Sequence, residues 1–256
     1  MAVVTFATDF GASDAYVGAM KGVVLGVAPK AVLVDITHAI PAHDVRTGAF
    51  ILADAAPYFP LGSVHLAVVD PGVGGDRNGV AVSSRGQFFV GPDNGVLTLA
   101  APRPRRVFRI ESPLFRRETV SPTFHGRDIF AVAAGQLAAG RPIDEAGPML
   151  ASMTELPMPA VQELADDCRG EVIHIDHFGN LITSFSSGAA GGRWELWCEG
   201  RRFELVGGRT FSDVDRGALV LYAGSGGRME AAVRDGSAAV LTQSKAGTQI
   251  HLKRLS

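Results

Sequence analysis

The rhythm of hydrophobic and polar positions changes near residue 150. Before that point short β-branched runs alternate with longer amphipathic stretches. Residues 2–10, AVVTFATDF, predict a buried strand ending in a loop, and residues 14–27 predict a helix with Ser13 or Asp14 as its N-cap and Pro29 just past its end. AVLVDIT predicts a strand, residues 44–58 a helix stopped by Pro60, VHLAVVD a strand, and GVAVSS with QFFVG a hairpin. GVLTLAA reads as a helix or a turn, RRVFRI as a strand, and residues 126–139 as a helix ended by Gly140 and Pro142. This alternation predicts an α/β domain over residues 1–152, with a mostly parallel central sheet flanked by helices on both faces. Ligands of such sheets sit beyond the carboxyl ends of the strands, where Asp9, Asp35 and Asp70 fall.

Residues 149–167 carry two prolines and no clear period, which predicts a linker over residues 153–167. Beyond it, EVIHIDHFGNLITSF, GRWELWCEG, RRFELVGG, GALVLYAG, MEAAVRD and TQIHLKR are short strands separated by turn signals. They predict a smaller, all-β, barrel-like domain over residues 168–256.

Composition narrows the class. Among 256 residues 46% are hydrophobic, only 7% are aromatic and 31 are glycine, as in an Ala/Val/Gly-rich α/β protein with many tight turns. Lys and Arg number 24 against 26 Asp and Glu, so no basic face is implied and nucleic acid is not an expected partner. Two cysteines, Cys168 and Cys198, cannot build a disulfide framework. The N-terminus reaches Asp9 before any apolar stretch long enough for a signal peptide or membrane span, so the expectation is a soluble, cytoplasmic protein with no membrane partner.

Five loops combine Gly or Pro with polar residues: TDFG (8–11), VVDPGVGGDR (68–77), GPDNG (91–95), PTFHGRD (122–128) and IDHFGN (175–180). Singly each has a plain structural reading: Asp9 as a helix cap, Asp70 before Pro71 as a turn initiator, Asp93 and Asn94 in a turn, His125 as a structural histidine and Phe178 as core. A protein-kinase reading of TDFG fails, since no glycine-rich ATP loop, strand lysine or HRD loop accompanies it.

In this order and spacing the five loops resemble the S-adenosyl-L-methionine (SAM) hydroxide adenosyltransferase family. These are adenosine-forming SAM hydrolases related to the SAM-dependent fluorinase and chlorinase. The resemblance runs from Asp9 to the GSGGRMEAAV segment at residues 224–233. It implies SAM as substrate, adenosine and methionine as products, and a homotrimer with active sites between the N-terminal domain of one subunit and the C-terminal domain of its neighbour. It further implies that Asp9 holds the ribose hydroxyls, that Phe178 and Asn180 receive adenine, that Asp176 takes the methionine amino group and that Ser225 lies near its carboxylate. Phe124 joins the substrate-binding residues. Asp70, Arg77 and His125 match the catalytic set of the hydrolases. The halogenating relatives carry a tyrosine in the Asp position, a Tyr-Ser pair at 125 and 126, and a long insertion, so water is the implied nucleophile. Two positions depart from the pattern: Gly224 replaces a usual Asn before Ser225, and His43 stands where the halogenases have a tryptophan, with no assigned role.

The residue chemistry suits that reading. A sulfonium already makes neutral methionine a good leaving group, so the site needs only to place water in line behind C5′ and raise its hydroxide character. Asp70 and His125 are both candidate proton acceptors, and Arg77 is suited to hold a hydroxide-like oxygen or to fix Asp70. No metal or cofactor is expected. One competing reading is a non-catalytic adenosyl-binding sensor that keeps Asp9, Phe178 and Asn180, though a binder has no use for Asp70, Arg77 and His125. Another is a metal-dependent hydrolase using Asp9, Asp35, His38 and Asp70, whose spacings match no common zinc pattern such as HExxH.

Overall fold

A computed structural model describes residues 2–188 and 190–255, which form two compact units, Met1–Leu156 and Pro157–Ser256. Among the described residues no helix is long and apolar enough to cross a membrane.

The first unit runs β1 (Val3–Thr8), α1 (Tyr16–Val27), β2 (Val32–Thr37), α2 (Val45–Ala55), β3 (Val64–Val68), β4 (Gly79–Ser84), β5 (Gln87–Pro92), β6 (Arg105–Arg109), α3 (Ala131–Ala138) and β7 (Met149–Leu150). Its seven strands lie in the order β2-β1-β3-β5-β4-β6-β7. The β2-β1-β3-β5 half is parallel, and β4, β6 and β7 extend it antiparallel. β1 and β3 are buried on both faces, which explains why their residues, Thr5 and His65 included, show no alternation of buried and exposed positions. Phe6 and Leu66 pack with Met20, Val24, Phe130 and Ala134 on one side. Ala7 and Ala67 pack with Leu52, Phe89 and Leu97 on the other.

Local chemistry sets the helix ends, with two corrections to the sequence expectation. Asp44 caps α2, its side chain accepting from the Thr47 N–H at 2.9 Å. Neither Ser13 nor Asp14 caps α1; Ala15 occupies the cap with no side-chain bond. The first turn is instead fixed by Tyr16, whose ring meets Phe10 and Phe124 edge-on at 6.0 and 5.2 Å. The helix expected over residues 126–139 begins with a π-helical turn, Gly126–Phe130, before α3. Such a turn re-aims side chains at its start, and His125 immediately precedes it. GVLTLAA is a series of turns, with the Thr98 N–H bonded to the Gly95 carbonyl and the Ala101 N–H to the Leu97 carbonyl.

The second unit contains β8 (Gln162–Leu164), β9 (Asp167–Ile175), β10 (Leu181–Ser186), β11 (Gly192–Cys198), β12 (Arg201–Gly207), β13 (Leu219–Ala223), β14 (Arg228–Val233), the single-turn α4 (Ala238–Thr242) and β15 (Gln249–Leu255). Strands β10-β14-β13-β12-β11-β15-β9 follow one another, and β9 pairs back to β10, closing a seven-stranded barrel with β8 beside the start of β9. Val172, Leu181, Phe185, Trp194, Leu196, Leu221 and Leu252 fill it. Cys168 and Cys198 are buried and free.

Candidate active site

Two neighbouring parallel strands of the first unit bring their carboxyl ends together. Thr8 of β1 lies opposite Val68 of β3, so Asp9, directly after β1, and Asp70, two residues after β3, leave the same edge of the sheet. One Asp9 carboxylate oxygen accepts the His43 N–H at 2.9 Å, a bond made possible by the left-handed backbone of His43 at φ 68°. This gives His43 a role that its side chain did not suggest. A carboxylate can accept several donors, so this bond anchors Asp9 without exhausting it.

Asp70, Arg77 and His125 form a continuous chain. The Arg77 guanidinium grips Asp70 as a fork, Nε to Oδ1 at 2.9 Å and Nη2 to Oδ2, while Nη2 lies 2.8 Å from His125 Nδ1. The Asp70 and Arg77 side chains are 5% and 12% exposed, and the guanidinium packs over the Phe130 ring at 5.3 Å. A guanidinium has donors only, so Nδ1 of His125 must accept, which places the histidine proton on Nε2. Burial, and then the positive charge of Arg77, lower the His125 pKa below its ordinary 6.5 against the opposing pull of Asp70 and Asp128, favouring that neutral ring.

Surrounding loops hold this chain in place. Gly74 takes φ 79° and lies against the Pro122 carbonyl so closely that a Cβ would overlap it, which lets the 70–77 loop approach the 122–128 loop. Asn94 donates to the Val69 carbonyl at 2.8 Å, one residue before Asp70, and Asp93 accepts the Thr154 N–H at 2.7 Å. The GPDNG loop is therefore scaffolding for Asp70. Asp128, the last residue of PTFHGRD, is fully buried; it accepts twice from Arg127 and once from the Ser121 N–H at 2.9 Å. Burial alone would raise its pKa, but the Arg127 bonds and the Ser121 N–H hold it below the ordinary value. Phe124 is half-buried against Phe10 and Tyr16, with Arg127 over its ring at 4.9 Å.

Asp35 and His38 do not join Asp9 and Asp70. Asp35 pairs with Lys21 at 2.6 Å and lies 3.0 Å from His38 Nε2, while His38 Nδ1 bonds Thr8 at 2.8 Å. Among the described residues no three His, Cys, Asp or Glu side chains converge as a metal site.

In the second unit Asp176, Phe178, Asn180 and Ser225 line one pocket of about 690 Å³. Asp176 folds the 176–180 loop: Oδ1 accepts the Phe178 and Asn180 N–H groups, each at 2.9 Å, and Oδ2 accepts the Asn180 side-chain amide at 2.7 Å. Gly179, at φ 83°, is pressed against Ser237. Asn180 is thereby buried, and Phe178 is 72% exposed, an aromatic face offered to the pocket rather than to the core. Sequence reasoning passed over Phe211, Tyr222 and Glu230, which line the same pocket. The alternation of β13 and β14 was the available signal, because Tyr222 and Glu230 fall opposite each other in that hairpin.

Comparison with known proteins agrees with the five loops. Residues 4–147 match the SAM hydroxide adenosyltransferase N-terminal domain and residues 170–251 the corresponding C-terminal domain. An (R)-S-adenosyl-L-methionine hydrolase of Thermus thermophilus is 43% identical, covering 98% of this chain and 100% of its own. A fluorinase of Nocardia brasiliensis is more distant, 29% identical over 98% of this chain and 96% of its own. A crystal structure of an uncharacterized conserved protein from Thermotoga maritima superposes with a TM-score of 0.92 at 33% identity, covering 98% of this chain and 100% of that one. With both domain models matched in order across most of its length, the chain belongs to the SAM hydroxide adenosyltransferase family.

Proposed function

We propose that the protein hydrolyses SAM to adenosine and L-methionine by in-line attack of water at the ribose C5′. The carrying observation is the unbroken Asp70–Arg77–His125 chain at the ends of the sheet strands. The similar hydrolase of Thermus thermophilus is named for the (R) epimer of SAM, and the proposed substrate is that epimer.

The roles follow from the hydrogen-bond inventory. His125 accepts from Arg77 at Nδ1, so its Nε2–H is a donor that orients the attacking water rather than a base that deprotonates it. Asp70 is the better proton acceptor, because each of its oxygens has a further lone pair beyond the Arg77 bond. As the water oxygen bonds to C5′, the C5′–S pair returns to sulfur and releases neutral methionine. The proton of the water passes to Asp70 and then to solvent. Asp9 holds the ribose hydroxyls, Phe124 adds an apolar contact, and Phe178 with Asn180 receives adenine. Asp176 and Ser225 face the methionine end. No metal or cofactor has a role in this scheme, since the sulfonium carries the activating charge.

The two residue sets belong to different compact units. We infer a homotrimer in which the N-terminal unit of one subunit and the C-terminal unit of its neighbour complete each site. Two free buried cysteines are compatible with a cytoplasmic setting. The test of the reaction is incubation with SAM in oxygen-18 water and mass spectrometry of the products. Label in adenosine is the expected result; methylthioadenosine or S-adenosylhomocysteine as main product overturns the reading.

A further inference from the structure

A hydroxyl, an imidazole and a carboxylate stand in a chain behind the TDFG turn of the first unit, and the proposed hydrolysis uses none of them. Thr8, the last residue of β1, is fully buried, and its Oγ1 lies 2.8 Å from His38 Nδ1. His38 directly follows β2, and its Nε2 faces Asp35 Oδ1 at 3.0 Å, while Lys21 of α1 donates to Asp35 Oδ2 at 2.6 Å. Burial would raise the Asp35 pKa, but the contacts from Lys21 and His38 hold it below the ordinary value, so this end of the chain stays charged. A carboxylate only accepts, so in the neutral ring Nε2 carries the proton and Nδ1 accepts from the Thr8 hydroxyl. The same three groups in this order form a hydrolytic triad elsewhere, yet Thr8 Oγ1 is sealed from solvent and already accepts the Phe10 N–H at 3.2 Å, so it is no nucleophile.

What the chain holds is the turn that presents Asp9. The His38 ring meets Thr8, the His38 carbonyl accepts the Gly11 N–H at 2.8 Å, the Ile40 N–H reaches the Thr8 carbonyl at 3.4 Å, and the His43 N–H reaches the Asp9 carboxylate at 2.9 Å. Of these contacts the first alone joins two side chains. The Thr8 hydroxyl is their hub: it precedes Asp9, accepts from the residue after Asp9, and is itself fixed by His38.

Resting on the reading that Asp9 holds the ribose hydroxyls, we propose that His38 is a positioning residue for Asp9. With Asp35 and Lys21 behind it, the ring locks Thr8 and thereby sets the Asp9 carboxylate where both vicinal hydroxyls are received. Two hydrogen bonds from one rigid sugar tolerate little displacement of their acceptor, so a tilted turn loses the hydroxyl contacts and leaves those to the base unchanged.

The experiment measures by calorimetry the binding of adenosine and of 2′,3′-dideoxyadenosine, which lacks the hydroxyls, to the full-length protein. Wild type is expected to prefer adenosine, and Asp9→Ala to abolish the preference. His38→Phe keeps a flat ring without nitrogen atoms; it is expected to weaken adenosine by at least about fivefold and to leave the dideoxy analogue within about twofold. Thr8→Val, of the same shape without the hydroxyl, is expected to show the same selective loss, and Thr8→Ser, which retains the hydroxyl, to keep the preference. Equal weakening of both ligands by His38→Phe and Thr8→Val, or no weakening of adenosine, overturns the proposal. Circular dichroism checks each fold, and if His38→Phe does not fold, the contrast between Thr8→Val and Thr8→Ser decides. A preference lost in Asp9→Ala and kept in His38→Phe refutes the role of His38 alone. A preference kept in Asp9→Ala, or absent from wild type, refutes the ribose role of Asp9 and the proposal with it.

Discussion

At the scale of single residues the electrostatics of His125 set the direction of a pH effect. The working arrangement needs the neutral ring, because a proton on Nδ1 would face the Arg77 N–H and break the 2.8 Å contact. Burial and the Arg77 charge lower the His125 pKa from 6.5, so the neutral form persists to lower pH and the acid limb of kcat is expected below that value. Arg77→Gln keeps a donor for Nδ1 but removes the positive charge and leaves Asp70 unbalanced, and both changes raise the histidine pKa. The acid limb of this variant is expected at higher pH than in wild type, along with a lower kcat; a pH–rate profile checks it, and an unmoved limb contradicts the role given to His125. Gly-rich turns with charged residues stand out of apolar strands and drew attention to the loops that carry Asp70, Arg77 and His125, but only the family resemblance joined the three as one set. Neither made the His43 N–H, Asn94 or Asp128 legible as supports, since backbone donors and buried loop acids carry no signal until the chain is folded.

At the scale of elements the central strands carry a buried polar pair that has a cost. Thr5 of β1, His65 of β3 and Phe89 of β5 stand in register across three parallel strands. His65 bonds Thr5 at 2.8 Å, stacks on Phe89 at 5.0 Å and is fully buried. Burial lowers its pKa from 6.5 to about 4. The folded state then binds fewer protons than the unfolded chain between those two values, so stability is intact above pH 6.5 and is lost as pH falls towards 4. The loss amounts to about 3 kcal/mol at the bottom of that window. Denaturant unfolding from pH 7 to 4 is expected to show this slope in wild type and a flatter one in His65→Gln; equal slopes refute it. The longer strands were readable from periodicity, whereas the short β7, β8 and α4 were not, β8 falling inside the stretch read as a linker. Periodicity also missed element ends: the helix over 126–139 opens with a π turn, and α1 starts without a side-chain cap because an aromatic cluster from three separate segments fixes its first turn. Both outcomes come from tertiary packing, which no local pattern encodes.

At the scale of the whole molecule the question is where one complete site resides. Asp9, Asp70, Arg77 and His125 belong to the first compact unit, and Asp176, Phe178 and Asn180 to the second. The proposed trimer assigns each working site one set from each of two subunits, so a defect in either unit of a chain disables a different site. His125→Ala removes the donor proposed to orient water, and Asn180→Ala removes both the proposed adenine contact and the bond to Asp176 that closes the 176–180 loop. Each homotrimer is expected to be nearly inactive. After subunit exchange, mixed trimers contain some interfaces that pair an intact first unit with an intact second unit, and these are expected to recover part of the wild-type rate. For equal amounts of the two chains and random exchange, an interface needs the Asn180→Ala chain on its first-unit side and the His125→Ala chain on its second-unit side, which happens at about a quarter of interfaces, so recovery approaches about a quarter of the wild-type rate if sites act independently. Sites built within one chain give no recovery at any mixing ratio, because every chain then carries a broken site of its own. Native mass spectrometry of differently tagged subunits confirms the exchange, and an active species with the mass of one chain also rules out shared sites.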